Sequence, residues 1–101
     1  IAGPNVAVRE RLLADLRATP RKTVVEGFKA VPRFDPKPHL ARFRGPMLAV
    51  VTPSNDYPFS IHHLKGGPPH RVVEGTGHWI QLDRPAEFNR ILDQFLEGGE
   101  R

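Results

Sequence analysis

The stretch PMLAVVTPSND, Pro46 to Asp56, decides the fold. Pro46 to Thr52 form a continuous apolar run of strand length, opening on proline and ending in valines. That is the pattern of a parallel strand covered on both faces, not of an alternating antiparallel one. The turn formers PSND stop it. Beyond them FSIHHLKGG reads as a short helix closed by glycine, and HRVVEG, from His70, as a second short strand. After Asp83 a stripe of Phe88, Ile91, Leu92 and Phe95 marks an amphipathic helix, which Gly98 and Gly99 end. Strand, helix, strand and helix with turns between them is the back end of an open α/β sheet.

Upstream, NVAVRERLLADLR spaces Val8, Leu12 and Leu16 one helical turn apart, beside Leu13, with charges on the other face and Asn5 as N-cap. Thr19 and Pro20 read as the N-cap and first residue of a second helix, which carries Val24, Phe28 and Val31 on one face until Pro32 stops it. RFDPKPHLARFRG is a loop with one helical turn around Leu40. No internal repeat or low-complexity segment interrupts this order.

With 101 residues the chain is one domain at most and buries only a modest core by itself. It has no cysteine, which excludes disulfides and thiolate chemistry and makes the cytoplasm the simplest compartment. No apolar run reaches the length of a membrane span, so no membrane partner is expected. The 15 basic and 11 acidic residues give a formal charge of +4, but they are intermixed along the chain, without the aromatic-and-basic alternation of a stacking platform. Nucleic acid is therefore not the expected partner. The first residue, Ile1, is not methionine, and two parallel strands need neighbours and covering helices, so the chain is expected to need an N-terminal part supplied elsewhere.

Functional groups in such sheets collect beyond the carboxyl ends of the strands. Asp56 follows the first strand across a short loop. His78 follows the second across Gly75-Thr76-Gly77, where glycine allows a sharp turn and close approach. Adjacent parallel strands bring the two loops side by side, so that the carboxylate can orient one imidazole nitrogen while the other takes a proton.

These residues resemble the C-terminal end of an α/β-hydrolase-fold enzyme. MLAVVTPSND and HRVVEGTGHWIQLDRPAEFNRILDQFL match its penultimate strand, acid loop, last strand, histidine loop and closing helix. Gly77-His78 matches the family's glycine-histidine pair; Asp83, Pro85 and Phe88 match the start of its closing helix; Asp56 matches the catalytic acid. The resemblance implies residues 1–44 as the end of a helical cap region with its connector, and residues 45–101 as core. It further implies hydrolysis of an ester-like small molecule by a Ser-His-Asp triad, with no cofactor. His78 would serve as general base and then acid, and Asp56 as its orienting residue. The chain contains no G-x-S-x-G elbow, so the nucleophile and oxyanion hole would come from the absent N-terminal part. An epoxide hydrolase or dehalogenase of the same fold, with an aspartate nucleophile, is an alternative, as is a non-catalytic interaction module.

Some residues carry two readings. Trp79 either lines the substrate pocket or packs on the closing helix, and Tyr57, with Phe59, either borders the pocket or anchors the acid loop. Asp83 is expected to cap the last helix. His62 and His63 would diverge on an α-helix, so no metal site is expected of them; with His39 and His70 they are expected at the surface.

Overall fold

The chain is described here by a computed structural model covering residues 2–98. Ile1 and Gly99, on which two of the expectations above bear, lie outside the described residues, as do residues 100–101.

Helix α1, Val6–Ala18, starts as expected, with Asn5 Oδ1 accepting from the Val8 amide at 3.2 Å. Thr19 behaves differently from its expected role. Its hydroxyl donates to the Asp15 carbonyl at 2.8 Å and its amide to Leu16, so it closes α1 and does not open the next helix. The last carbonyls of a helix lack internal partners, and the hydroxyl meets them first. Pro20 therefore stands at the N-cap of α2, Arg21–Ala30, without a side-chain cap. A 3₁₀ turn at Val31–Arg33 and helix α3, Lys37–Arg42, follow; α3 begins where Asp35 Oδ1 accepts from the Lys37 amide at 3.1 Å. None of these three helices contains a buried residue.

Strands β1, Ala49–Val51, and β2, His70–Val72, pair in parallel with Ala49 opposite His70 and Val51 opposite Val72. Bonds from Ala49 N to Pro69 O (2.9 Å) and Val73 N to Val51 O (2.8 Å) extend the ladder at both ends. The chain is thus a mixed helical structure on a two-stranded parallel sheet, compatible with the α/β class. One expectation is corrected: the β1 residues are half-buried, not covered on both faces. Each strand has one sheet neighbour among the described residues, and α1–α3 bring no buried face against them.

The core lies on one side of this pair. Val73, Ile80 and Ile91 are buried, with Leu48, Val50 and Phe88 packed against them. Ile80 comes from the short α4, Ile80–Asp83, and Ile91 from α5, Pro85–Leu96, whose stripe turns inward as its period requires. Gly98, at φ 81°, ends α5 in the left-handed conformation that glycine adopts without a Cβ penalty, and its amide bonds Phe95 O.

The segment after Tyr57 is a 3₁₀ turn, Ile61–His63, in place of the short helix expected. Gly66, at φ 78°, turns the chain back, and Gly67 lies so close to the Ile61 carbonyl that a Cβ would collide with it.

Large apolar side chains remain outside. Phe28, Val31, Phe34, Phe59 and Leu96 are all more than 60% exposed. The Cα radius of gyration is 15.5 Å, against about 13 Å for a compact domain of this length. Among the described residues no helix is long and apolar enough to cross a membrane.

Candidate functional site

The histidine loop is fixed from both ends. Gly75, at φ 73°, makes the turn after β2. The amide of the buried Gly77 then donates to Asp83 Oδ2 at 2.8 Å. Asp83 is therefore not the cap of α5 that the sequence leads one to expect. It is the last residue of α4; Arg84 takes the cap position with no side-chain bond. A carboxylate six residues beyond Gly77 reaches back across the loop because α4 reverses the chain between them. Asp83→Ala would strand a buried N–H, at a cost of about 1–3 kcal/mol. The expected result is a lowered circular dichroism melting temperature, with a smaller loss in Asp83→Asn, which keeps an acceptor.

The loop presents His78 at the surface beside the carboxyl ends of the strands. Its Nδ1 lies 3.3 Å from Asn55 Oδ1. Asn55 is held in turn, since Oδ1 also accepts from the hydroxyl of the fully buried Thr52 at 3.1 Å, and that hydroxyl shares a 2.9 Å bond with Ser54. An acceptor at Nδ1 places the ring proton there and leaves the Nε2 lone pair free to take a proton. With Asn55 Oδ1 as its acceptor, His78 would hold its proton on Nδ1, the tautomer in which Nε2 is the unprotonated nitrogen.

Asp56 makes no hydrogen bond to His78 among the described residues. Its Oδ1 lies 2.8 Å from His62 Nε2 and 2.6 Å from His63 Nε2. These bonds, that from His62 foremost, hold the Asp56 carboxyl below its ordinary pKa. The two imidazoles were expected to diverge, as neighbours on an α-helix do. They nonetheless meet at Asp56, because the loop that carries their 3₁₀ turn folds back over that residue and both ring nitrogens reach one carboxylate oxygen. His62 is buried as well, correcting its expected surface position, and its ring lies 4.5 Å from that of His70. His39 and His70 are exposed, as expected.

His78 and Tyr57 line one cavity, of about 330 Å³, with Asn55, Ser60, His62 and Ile80. Tyr57 also stacks on Phe59, their ring centroids 5.2 Å apart, so it borders the pocket and braces the acid loop at once. Trp79 meets His78 edge-on at 5.1 Å but lines a different and larger cavity, about 570 Å³, against Leu12 and Leu16 of α1. We place the site in the smaller cavity, because that is where an imidazole with a free nitrogen faces open space.

The sequence gives no functional signal for Asn55 or Thr52, and the expected divergence of His62 and His63 hid their common partner. Asn55 was legible only as a turn former; its neighbour in the chain, Asp56, has the more familiar chemistry. The pair of histidines was visible, but its shared partner depends on how the loop folds back over Asp56.

No family model matches the chain, and no solved structure matches it significantly. Part of it is similar to a protein named bifunctional epoxide hydrolase 2 from Sus scrofa, with 40% identity over 58 residues, which are 52% of this chain and 10% of that protein. The chain thus spans about a tenth of the length of the curated relative it matches. With the parallel strand pair and its flanking helices, this likeness supports an α/β-hydrolase fold for the matched stretch and a hydrolase as the kind of protein to which it is related.

Proposed function

We propose that this chain is the C-terminal part of an α/β-hydrolase-fold enzyme that opens a small epoxide, with His78 as its general base. The observation that carries the reading is the bond between His78 Nδ1 and Asn55 Oδ1, which leaves Nε2 free in a cavity beyond the strand ends. The likeness to an epoxide hydrolase favours an epoxide over an ester as substrate.

In this reading a carboxylate nucleophile from the N-terminal part attacks an epoxide carbon. The C–O bond of the ring breaks, and the carboxylate becomes an ester of the opened substrate. The ring oxygen takes a proton from solvent and becomes a hydroxyl. His78 Nε2 next removes a proton from water, which attacks the ester carbonyl. His78 passes that proton to the departing oxygen and the second proton of the water returns to solvent, so that a diol is released and the carboxylate restored. Asn55 holds the tautomer. Asp56, the next residue, supplies the negative charge that steadies the imidazolium when the loop is packed against the N-terminal part. Tyr57 borders the substrate, and Trp79 closes the pocket towards residues 1–44, the end of the cap. The exposed apolar side chains and the open strand edges are what the N-terminal part would cover.

The test is to co-express the chain with that part and compare hydrolysis of an epoxide with that of an ester of matched size. Diol formation at the higher kcat/KM supports the proposal. Preferential ester hydrolysis, with an acylated serine in the N-terminal part, would replace it by the Ser-His-Asp reading, and a folded complex inert towards both would favour the interaction module.

A further inference from the structure

We propose that Asp56, His62 and His63 form a site for a first-row divalent cation, with zinc as the best fit. The three donor atoms, one carboxylate oxygen and two imidazole nitrogens, lie within 4.8 Å of one another. That donor set suits zinc, which takes nitrogen and oxygen ligands at about 2.0–2.2 Å in tetrahedral sites. Two imidazoles with one carboxylate and an open fourth position is a recurrent way to hold it.

The arrangement is built and not a chance meeting of mobile side chains. His62 has a side chain only 1% exposed, and its ring is wedged against His63 and His70 at centroid distances of 4.3 and 4.5 Å. The backbone beneath is held by Ser60, whose hydroxyl accepts from the Tyr57 amide at 2.9 Å and donates to the Asn55 carbonyl at 2.8 Å. Gly67 packs against the Ile61 carbonyl from the other side. The ring nitrogens already aim at one point, the Asp56 oxygen. A cation entering there would replace the two N–H···O bonds by three bonds to itself.

His62 Nδ1 gives a second observation: it is buried and has no hydrogen-bond partner among the described residues. As a bare lone pair it fits the metal-free state, in which Nε2–H donates to Asp56. Ligation through Nε2 puts the proton on Nδ1 instead, where a buried donor without an acceptor opposes binding. His63 is partly exposed and gives its Nδ1 proton to water at no such cost. Affinity is therefore expected to rest on His63 and Asp56 first. If Asp56 also serves His78, as proposed above, cation and catalytic base compete for one carboxylate. The binding test does not depend on that reading, because it measures no turnover.

Zinc is titrated against a chromophoric chelator in the presence of the full chain, and cobalt(II) spectra are recorded in parallel. One equivalent per chain, with the visible bands of a tetrahedral site, is the expected result. His63→Ala and Asp56→Asn are each expected to weaken binding by at least the roughly 10- to 100-fold that loss of a supporting residue costs, while His39→Ala leaves it unchanged. His62→Ala empties a buried position and is read only with a native far-ultraviolet circular dichroism spectrum; His63→Ala, at a partly exposed position, keeps the test decisive if that variant unfolds. Wild-type affinity in His63→Ala and Asp56→Asn, or no stoichiometric binding by the wild-type chain, overturns the proposal.

Discussion

If the proposed function holds, replacing His78 by glutamine in the chain complexed with the proposed N-terminal part is expected to lower kcat for epoxide hydrolysis on the order of 10³-fold, within the range that a positioned general base supplies. The loss should fall unevenly on the two steps. Opening of the ring by a carboxylate nucleophile needs no base, whereas attack of water on the resulting ester does. The variant is therefore expected to accumulate a covalent adduct, seen by mass spectrometry as the N-terminal part heavier by one substrate molecule. Glutamine keeps much of the volume of imidazole and has a donor for Asn55 Oδ1, so a gross change of packing is avoided while the proton acceptor is lost. A variant that turns over at the wild-type rate would remove His78 from the mechanism. A variant that loses both adduct formation and turnover would assign it a role before the ester.

The largest effect on stability is expected from Ile91→Ala. Ile91 is 4% exposed, and with Val73 and Ile80 it makes the buried hydrophobic core cluster. Truncating a buried isoleucine costs about 2–5 kcal/mol, from lost transfer energy and the cavity left behind. Set against the roughly 5–15 kcal/mol of an entire ordinary domain, that suffices to release α5 from the strand pair. It also touches the site, because Ile80 packs against Ile91 on one side and lines the His78 cavity on the other. In urea titrations followed by circular dichroism, Ile91→Ala should shift the midpoint sharply downward or abolish the cooperative transition. Leu96→Ala, at a position 72% exposed on the same helix, should stay within about 0.5 kcal/mol of wild type. Equal effects from both would mean that α5 does not dock through Ile91.

Much of this architecture is written in local pattern. Asn5 caps α1 because its short side chain reaches an amide one turn ahead, a relation complete within four residues. The apolar run around Val50 and the valines at 72 and 73 give two strands, and the stripe ending at Phe95 gives α5, because each period matches one backbone geometry. Thr19 and Asp83 mark where local pattern stops being enough. Each is a good capping residue by type, and each satisfied a different backbone group, because the chain brought that group closer than the amides of the next helix.

For the site, residue types and chain order were sufficient to pick out His78 and Asp56 at the ends of consecutive parallel strands. Side-chain partnership was another matter. Which acceptor meets Nδ1 depends on angstrom-scale placement of the loop from Pro53 to Asp56, where two acceptors stand side by side, and the tertiary structure gives that place to Asn55. What His62 and His63 do depends on the path of one loop: neighbours in a helical turn leave the backbone in different directions, yet this loop lies over Asp56 so that both side chains reach one carboxylate oxygen. Sequence alone determined the order of elements and the kinds of groups at the strand ends, since periodicity and turn chemistry act over a few residues. Only the tertiary structure decided which groups meet, because hydrogen bonds and metal ligation select among neighbours by distance and direction.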